Sequence, residues 1–214
     1  MQIKVLQCNP IQENCYIVSD ETLEAVVIDC GAFYDAERKA VVDYLRSNGL
    51  TLRHVLCTHA HFDHIFGVGT LYDEFGLKPR VHADDEVLYS HFDASVRDFM
   101  GVSMNKKLPP LGDSLRDGES VSFGSHQIKV LHTPGHSPGS VLLYINNEKT
   151  LFSGDTLFRM SVGRTDLEGG SWEQLMHSLH DVVALLPADT TVYCGHGPAT
   201  TIGDELRMNP YFGF

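Results

Sequence analysis

Three histidines and one aspartate lie within six consecutive positions of the segment THAHFDHIFG, residues 58–67: His59, His61, Asp63 and His64. Random placement in a chain of this composition would produce H-x-H-x-D-H only about 0.003 times, so chance is a poor explanation. Imidazole nitrogens and a carboxylate are ligands that zinc prefers, with Fe(II) and Mn(II) as competitors. The segment therefore predicts a metal site.

Three further candidate ligands each follow a glycine at or beyond the end of a strand-like run. They are His136 in HTPGHSPGS, Asp155 in LFSGDT and His196 in VYCGHGPAT. Glycine is expected where the backbone must come close to another group. One tetrahedral ion takes at most four protein ligands, and a catalytic ion usually takes three. Five histidines and two aspartates therefore suit two divalent ions better than one.

The element before the first cluster positions it. The segment LRHVLCT, residues 52–58, reads as a buried strand and runs directly into the cluster. Side chains alternate along an extended chain, so His59 and His61 are expected to point to the same side. Asp63 and His64 fall where a helix is expected to begin. There the carboxylate would offset the positive end of the helix dipole, which would otherwise repel a cation.

The wider pattern predicts two sheets with helices outside them. Alternating apolar residues indicate strands within residues 1–31, 120–133 and 140–156, whereas helical spacing marks 35–49, 67–76 and 171–186. Asn146-Asn147 predicts a hairpin turn and Ser171 a helix N-cap. No linker of Pro, Gly or Ser divides residues 1–214. We expect one α/β domain, a four-layer αββα sandwich.

Composition limits the partners. The net charge of -12 repels a phosphate backbone and an anionic bilayer, so we expect a small-molecule substrate, no nucleic acid and no membrane. The amino terminus lacks the basic and apolar regions of a secretory signal, and no run of about 18 apolar residues occurs, which predicts a soluble, cytoplasmic protein. Five cysteines, an odd number without a C-x-x-C pair, predict reduced and buried thiols.

The motifs THAHFDH, TPGHSPGS, SGDT and CGHG, in this order, resemble those of the metallo-β-lactamase superfamily, and specifically its glyoxalase II-like hydrolases. The segment SGDTLFRMSVGRTDLEGG is similar to the short bacterial type II subgroup. The resemblance implies the αββα sandwich with a dinuclear centre at one sheet edge. It implies that one metal is held by His59, His61 and His136, the second by Asp63, His64 and His196, and that Asp155 bridges them.

The resemblance also implies a reaction. A hydroxide shared by the two ions would be the nucleophile, and Asp63 would orient it and accept its proton as the catalytic residue. A thiolate leaves with little help whereas an amide nitrogen needs a proton, which favours a thioester such as a hydroxyacyl-glutathione. Full-length glyoxalase II enzymes hold glutathione partly through a carboxy-terminal helical extension. This chain stops about twenty residues after His196, so no separate helical domain is expected.

Several alternatives remain open. The rival enzyme is a mononuclear iron persulfide dioxygenase on the same fold, followed by a lactonase or β-lactamase. A nuclease would need more chain and a more basic surface, and a diiron redox module would need a carboxylate in the first motif. Zinc is the expected metal with iron or manganese as competitors, whereas the acyl group, the thiol carrier and the oligomeric state stay undetermined.

Other polar residues receive structural interpretations. Pro134 and Gly135 break any helix between His132 and His136, so His132 is interpreted as a structural or supporting residue. Arg164 could bind a substrate carboxylate or form a structural salt bridge, and Lys106-Lys107 is interpreted as a solvated loop that could also touch substrate. The remaining histidines interpreted as non-ligands are His54, His82, His91, His126, His177 and His180.

Overall fold

The computed structural model describes residues 1–104 and 107–213. Its strands are β1 (Gln2–Cys8), β2 (Glu13–Ser19), β3 (Glu24–Ile28), β4 (Thr51–Leu56), β5 (Pro79–Arg80), β6 (Ser120–Phe123), β7 (His126–His132), β8 (Val141–Ile145), β9 (Thr150–Gly154), β10 (Leu157–Phe158), β11 (Ser161–Val162), β12 (Thr191–Cys194) and β13 (Thr200–Thr201). Its α-helices are α1 (Asp35–Ser47), α2 (Phe62–Ile65), α3 (Val68–Phe75), α4 (Glu86–Ser90), α5 (Phe92–Met100), α6 (Trp172–His177) and α7 (Ile202–Met208).

The strands form two mixed sheets and one small ribbon. The first sheet has the order β1-β2-β3-β4-β5, the second β13-β12-β9-β8-β7-β6, and β10 pairs with β11. In the second sheet β7, β8 and β9 are antiparallel neighbours and β12 is parallel to β9. It follows that β7, β9 and β12 run in the same direction and end at the same edge. Segments that follow these three strands are thereby brought together.

Alternation along β2 shows how the layers form. Tyr16 and Val18 face the second sheet and join a buried cluster that includes Phe152 of β9. Ile17 faces the other way and packs in a cluster with Leu45 of α1 and Leu71 of α3. A strand that is apolar on both faces must be covered on both, by a sheet on one side and by helices on the other.

The outer face of the second sheet is covered in the same way. Leu142 of β8 and Leu151 of β9 belong to a cluster that contains Leu175 and Leu179 from the segment after Ser171. The arrangement is helix, sheet, sheet, helix. The predicted α/β class and four-layer αββα sandwich are confirmed.

Local details refine the sequence predictions. The β8–β9 hairpin turns through the 3₁₀ residues Asn146–Glu148, and Lys149 adopts a positive φ of 46°, so the turn is longer than Asn146-Asn147 alone. The hydroxyl of Ser171 accepts a bond from the Gln174 amide, which confirms the N-cap. The helix predicted over 171–186 is divided: α6 is followed by a π-helical turn and a 3₁₀ turn.

The five cysteines are all buried and free of disulfides, which confirms the prediction from their number and spacing. They are Cys8, Cys15, Cys30, Cys57 and Cys194. Across the described residues, no helix combines the length and apolar character that a bilayer span requires.

Candidate metal centre

The candidate ligands lie in segments that follow the ends of strands, at one edge of the two sheets. β4 is followed by Thr58 and His59, and the Thr58 carbonyl accepts a bond of 2.8 Å from the Val141 amide, which ties the end of β4 to the second sheet. Asp155 follows β9 directly and His196 lies two residues beyond β12. α2 begins at Phe62, so the prediction that Asp63 and His64 open a helix is confirmed.

His59, His61 and His136 form the first group of side chains. One ring nitrogen from each lies within 4.8 Å of the others. The Nδ1 of His61 is 2.9 Å from the Nε2 of His136, and the His59 ring centroid lies 4.8 Å from both other centroids. Three imidazoles that converge on one point make a nitrogen-rich site of the kind that zinc and Fe(II) accept.

Asp63, His64 and His196 form the second group, again with ligand atoms within 4.8 Å of one another. The Nε2 of His196 is 3.1 Å from Asp63 Oδ2, and the Nε2 of His64 is 3.6 Å from the same oxygen. This group adds a carboxylate to two imidazoles, so it carries more negative charge than the first.

Asp155 lies between the two groups. Its Oδ1 is 3.4 Å from the Nε2 of His64, and its Oδ2 is 3.5 Å from the Nε2 of His136 and 3.7 Å from that of His196. One carboxylate therefore faces histidines of both groups, which is the position that a bridging ligand requires.

Buried atoms without partners test whether these residues suit metal ions. Within the described chain, the Nε2 atoms of His59 and His64 and the Oδ1 of Asp155 are buried and have no hydrogen-bond partner. A buried polar atom left unpaired costs free energy, and native structures rarely tolerate several together. All three atoms face the centre, so the donor set fits two divalent ions.

Hydrogen bonds behind the histidines fix which nitrogen faces the centre. In four of the five histidines, Nδ1 donates to an oxygen and Nε2 faces the centre. The acceptors are Thr58 Oγ1 for His59 at 3.1 Å, Asp29 Oδ2 for His64 at 3.1 Å, the Arg164 carbonyl for His136 at 2.7 Å and the Ile11 carbonyl for His196 at 3.2 Å. Such partners set the tautomer and orientation of metal-binding histidines.

Asp29 is a supporting residue that sequence reasoning missed. It follows β3, is buried, and accepts bonds from the Thr58 amide and hydroxyl, each at 2.7 Å, in addition to His64. Its φ of 48° lies in the left-handed region, which Asp tolerates better than most residues. In the sequence, the Asp-x-Gly pattern of residues 29–31 indicates a turn after a strand, and a turn signal alone does not identify a supporting carboxylate.

Asp85 joins the two loops that carry the first group, and no motif in the sequence marks this residue. Its buried carboxylate accepts bonds from the Ala60 amide at 2.9 Å, the Ser137 hydroxyl at 2.8 Å and the Gly139 amide at 2.5 Å. Burial raises the pKa of Asp85, although these three donors oppose the shift. The carboxylate fixes the spacing between His61 and His136.

Asn14 and Tyr16 of β2 hold the loop that carries His196. The Asn14 side-chain amide donates to the carbonyls of Cys194 and Gly197, and the Tyr16 hydroxyl donates to the Cys194 carbonyl at 2.6 Å. Gly195 lies close to Asp155, because a Cβ added to this glycine would be 2.1 Å from Asp155 Oδ1. The predicted need for glycine before His196 therefore has a steric cause.

The electrostatic environment keeps His59 and His61 neutral. Burial, reinforced by the neighbouring His136, lowers the pKa of His61 to about 3, and burial with His64 lowers the pKa of His59. A neutral imidazole is the form that binds a metal.

The second group is charged when no ion is bound. Burial alone would raise the pKa of Asp63 and of Asp155, but His64 beside them outweighs it and lowers both. Burial would lower the pKa of His64, yet Asp63 and Asp155 raise it. Bound cations would replace these protons as the positive partners of the carboxylates.

A cavity of about 480 Å³ opens above the centre. Five of the seven predicted residues line it: His61, Asp63, His136, Asp155 and His196. Arg164 also lines it, with its guanidinium bound to Asp166 through two contacts of 2.7 Å. Substrate would thus reach both groups of side chains from one side.

The remaining histidines lie outside the two groups. The rings of His82 and His132 stack with centroids 4.0 Å apart near Asp84, a separate cluster at the surface. His126 is buried between Asp20 and Glu148, whereas His54 bonds to the Ser122 carbonyl, His91 to Glu168 and His177 to Asp181. His180 contacts the Phe212 ring.

Lys106 lies outside the described residues. Lys107 lines a different cavity, beside α3 and α5.

A family model described as the metallo-beta-lactamase superfamily matches residues 8–196, which include all seven candidate ligands. This chain belongs to the metallo-β-lactamase superfamily. Hydroxyacylglutathione hydrolase GloC of Haemophilus influenzae is 31% identical over 99% of this chain and 98% of its own length. The family is one of metallohydrolases, so the chain is a metal-dependent hydrolase by class, and the resemblance inferred from the motifs is confirmed.

Two solved structures of this superfamily are also similar over nearly their whole length. The BLEG-1 B3 metallo-beta-lactamase is 38% identical with a TM-score of 0.88 and covers 100% of both chains. TTHA1623, solved in a di-iron-bound form, is 38% identical with a TM-score of 0.86 and covers 97% of this chain and 99% of its own. A similar protein that binds two irons leaves zinc and iron both open for the present centre.

Proposed function

We propose that this chain hydrolyses a thioester, a hydroxyacyl-glutathione or another low-molecular-weight thiol ester, at two divalent ions. The observation that carries the proposal is the pair of converging groups, each with three ligand side chains, that share Asp155 beneath one cavity. We assign one ion to His59, His61 and His136 and the other to Asp63, His64 and His196. Zinc is the expected metal, with iron and manganese as alternatives.

Bound ions there would acidify water to give a nucleophile at neutral pH and would polarise the thioester carbonyl. The side chains determine where this happens. Asp63 lines the cavity, with its Oδ2 3.1 Å from the Nε2 of His196. We assign to its carboxylate the orientation of the attacking water and the acceptance of its proton. The carbonyl of Arg164 holds the His136 ring in place at the cavity floor.

The cavity lining favours a thiolate leaving group. Among the described residues that line it, every titratable side chain is either a proposed ligand or Arg164. An amide nitrogen must be protonated as it leaves, and the described lining offers no acid for this task apart from the proposed ligands. A thiolate departs without a proton, because the pKa of a thiol is near 8.5. The relationship to GloC, named a hydroxyacylglutathione hydrolase, supports the same substrate class.

The test combines metal analysis with a substrate screen on one preparation. Purified protein is loaded with zinc, iron or manganese, its metal content is measured by elemental analysis, and it is assayed with S-lactoylglutathione, a neutral acyl thioester, a lactone and a β-lactam. We expect two ions per chain and hydrolysis of at least one thioester. A fully loaded protein that hydrolyses none of the thioesters would contradict the proposal.

Hydrolysis of a β-lactam is the second candidate, favoured by the likeness to BLEG-1 over the full chain. The same screen separates it from thioester hydrolysis. A mononuclear iron persulfide dioxygenase uses one ion, so the second group, Asp63, His64 and His196, argues against it. Oxygen uptake with glutathione persulfide, together with a metal content of one iron per chain, would favour the dioxygenase instead.

A further inference from the structure

The cavity above the candidate metal centre has a polar floor and apolar walls. The floor is made by the proposed ligands. The walls are formed by six apolar side chains: Ile11, Phe62, Phe99, Phe158, Val162 and Leu167. A substrate whose scissile bond lies at the floor must therefore place its remaining groups against apolar surface.

One wall is built on an aromatic pair beside Asp63. The rings of Phe62 and Phe99 have centroids 5.3 Å apart, and Phe62 also contacts Phe66 at 5.6 Å. Phe62 is buried, whereas Phe99 is 54% exposed. The buried ring holds the exposed one at the cavity edge, so Phe99 offers apolar area that is still in contact with water. Covering such area with an apolar ligand is favourable.

A second set of apolar lining side chains comes from the β10–β11 ribbon and from Ile11. Phe158 of β10 lies with its ring centroid 6.2 Å from that of His196, and Val162 of β11 pairs with Leu157. Ile11, 44% exposed, is joined to the floor because its carbonyl accepts the bond from His196. Apolar side chains thus lie close to the proposed ligand His196 as well as beside Asp63.

Charged groups that would recognise glutathione are scarce in the lining. Among the described residues, Arg164 is the one Lys or Arg side chain that lines the cavity, and Asp166 already binds its guanidinium with two contacts. Glutathione carries two carboxylates, and the chain as a whole carries a net charge of -12. A glutathione ester would have to share Arg164 with Asp166 to obtain one ion pair.

We propose that the apolar walls bind an apolar substituent of the thioester and that Phe99 determines this specificity. The preferred substrate then carries an alkyl or aryl group next to the scissile carbonyl or sulfur, instead of a charged peptide thiol. This inference rests on the proposed thioester hydrolysis for the bond that is broken. It adds the class of group that the cavity selects.

Two substrate series locate the substituent. One series lengthens the acyl chain from two to eight carbons on a constant neutral thiol, and the other lengthens an alkyl thiol on a constant acetyl group. With the metal-loaded protein, kcat/KM should rise by about three- to fourfold per methylene in the series whose chain enters the cavity. A flat or falling kcat/KM in both series, or a preference for S-lactoylglutathione over the neutral lactoyl thioester, would overturn the inference.

Variants of Phe99 test its role in specificity. Phe99→Ser should reduce the increase per methylene to less than about twofold, whereas Phe99→Leu, which keeps apolar area, should retain most of it. Leu185→Ser is the matched control, because Leu185 is an exposed apolar residue outside the cavity lining. If Phe99→Ser and Leu185→Ser gave the same chain-length dependence as the parent, Phe99 would not determine specificity.

Binding of inert analogues separates this inference from the proposed function. Alkyl thioethers lack the scissile carbonyl, so their affinity, measured by calorimetry, does not depend on catalysis. We expect affinity to rise with chain length in the parent and to rise less in Phe99→Ser. If thioethers bound in this way while no thioester was hydrolysed, the apolar site would stand and the proposed reaction would fail. If thioesters were hydrolysed but neither rate nor binding depended on chain length, the proposed reaction would stand and the apolar site would fail.

Discussion

The Nδ1 of His61 lies 2.9 Å from the Nε2 of His136, although 75 positions separate the two residues in the chain. The rings are nearly perpendicular, at 85°. Asp85 bonds to the backbone of Ala60 and Gly139, so it sets the distance between the two loops. Two nitrogens held this close by buried bonds are prepared to share one cation, which leads to the first prediction.

His61→Ala should remove bound metal and activity. Each group has only three ligands besides the shared Asp155, so losing one leaves an incomplete site. The loss of activity should exceed about 100-fold, the upper end for residues that merely orient a ligand. Elemental analysis measures the bound metal, and the thioester assay measures the activity. His132→Ala is the control and should keep metal near normal; the reverse pattern in the two variants would overturn the ligand assignment.

Asp29→Asn should weaken metal binding without removing any ligand. Asn tolerates the positive φ of this position, so the backbone is not strained. The NH₂ group of the introduced asparagine cannot accept a hydrogen bond, however, so a donor of Thr58 or His64 would lose its acceptor. Metal affinity should fall by about 10- to 100-fold in a competitive chelator titration. An unchanged affinity would show that Asp29 does not orient His64.

Gly195→Ala should disturb the centre by steric contact. The added Cβ would meet Asp155 Oδ1 at 2.1 Å, far inside normal contact distance, so the carboxylate or the His196 loop must move. Gly213→Ala adds the same methyl group where the nearest atom is 3.8 Å away. We expect lower metal content and activity only in the first variant. Equal metal content in both would mean that the loop relaxes freely.

Metal removal should destabilise the fold. Ions that bind only the folded chain add stability, about 2.7 kcal/mol per site when free metal is 100 times Kd. Thermal unfolding with excess zinc and with a chelator should therefore differ, the chelated protein unfolding at the lower temperature. His61→Ala should show a smaller difference between the two conditions. A melting temperature that does not respond to chelator would contradict a resident metal centre.

Acid stability should depend on Asp20, far from the centre. Burial alone would raise its pKa, but donors from Thr22, Ser125 and His126 outweigh it and lower the pKa. A folded-state pKa below the unfolded value adds stability above about pH 4, and that stability is lost as pH falls through the folded pKa. Asp20→Asn should destabilise the protein by about 1–3 kcal/mol at pH 7.

That difference between Asp20→Asn and the parent should shrink as pH falls below about 4. Denaturant unfolding at pH 7, 3.5 and 2.5 measures it. Asp98→Asn, at an exposed carboxylate of α5 away from Asp20, is the control and should change stability little at any of these pH values. A difference that stays constant with pH would show that the Asp20 charge does not stabilise the fold.

Residue types and local spacing were enough to predict the layers and the side chains that converge in the two groups. H-x-H-x-D-H is informative because the chemistry needs those side chains, and alternation in segments such as 13–19 indicates strands because both faces of each sheet are covered. Local signals also predicted the Ser171 cap. They did not predict the π-helical turn after α6, because such turns depend on packing against the sheet rather than on propensity.

The sequence by itself determined the family of the chain and predicted which side chains form the candidate metal centre. Only the tertiary structure decided how they meet: Asp155 lies between the two groups because β9 and β12 are parallel and end together. The sequence contains Asp29 and Asp85, but it does not show their roles, because these depend on hydrogen-bond donors from distant segments. The apolar cavity walls likewise join α2, α5 and the β10–β11 ribbon, a contact between remote elements that no local pattern encodes.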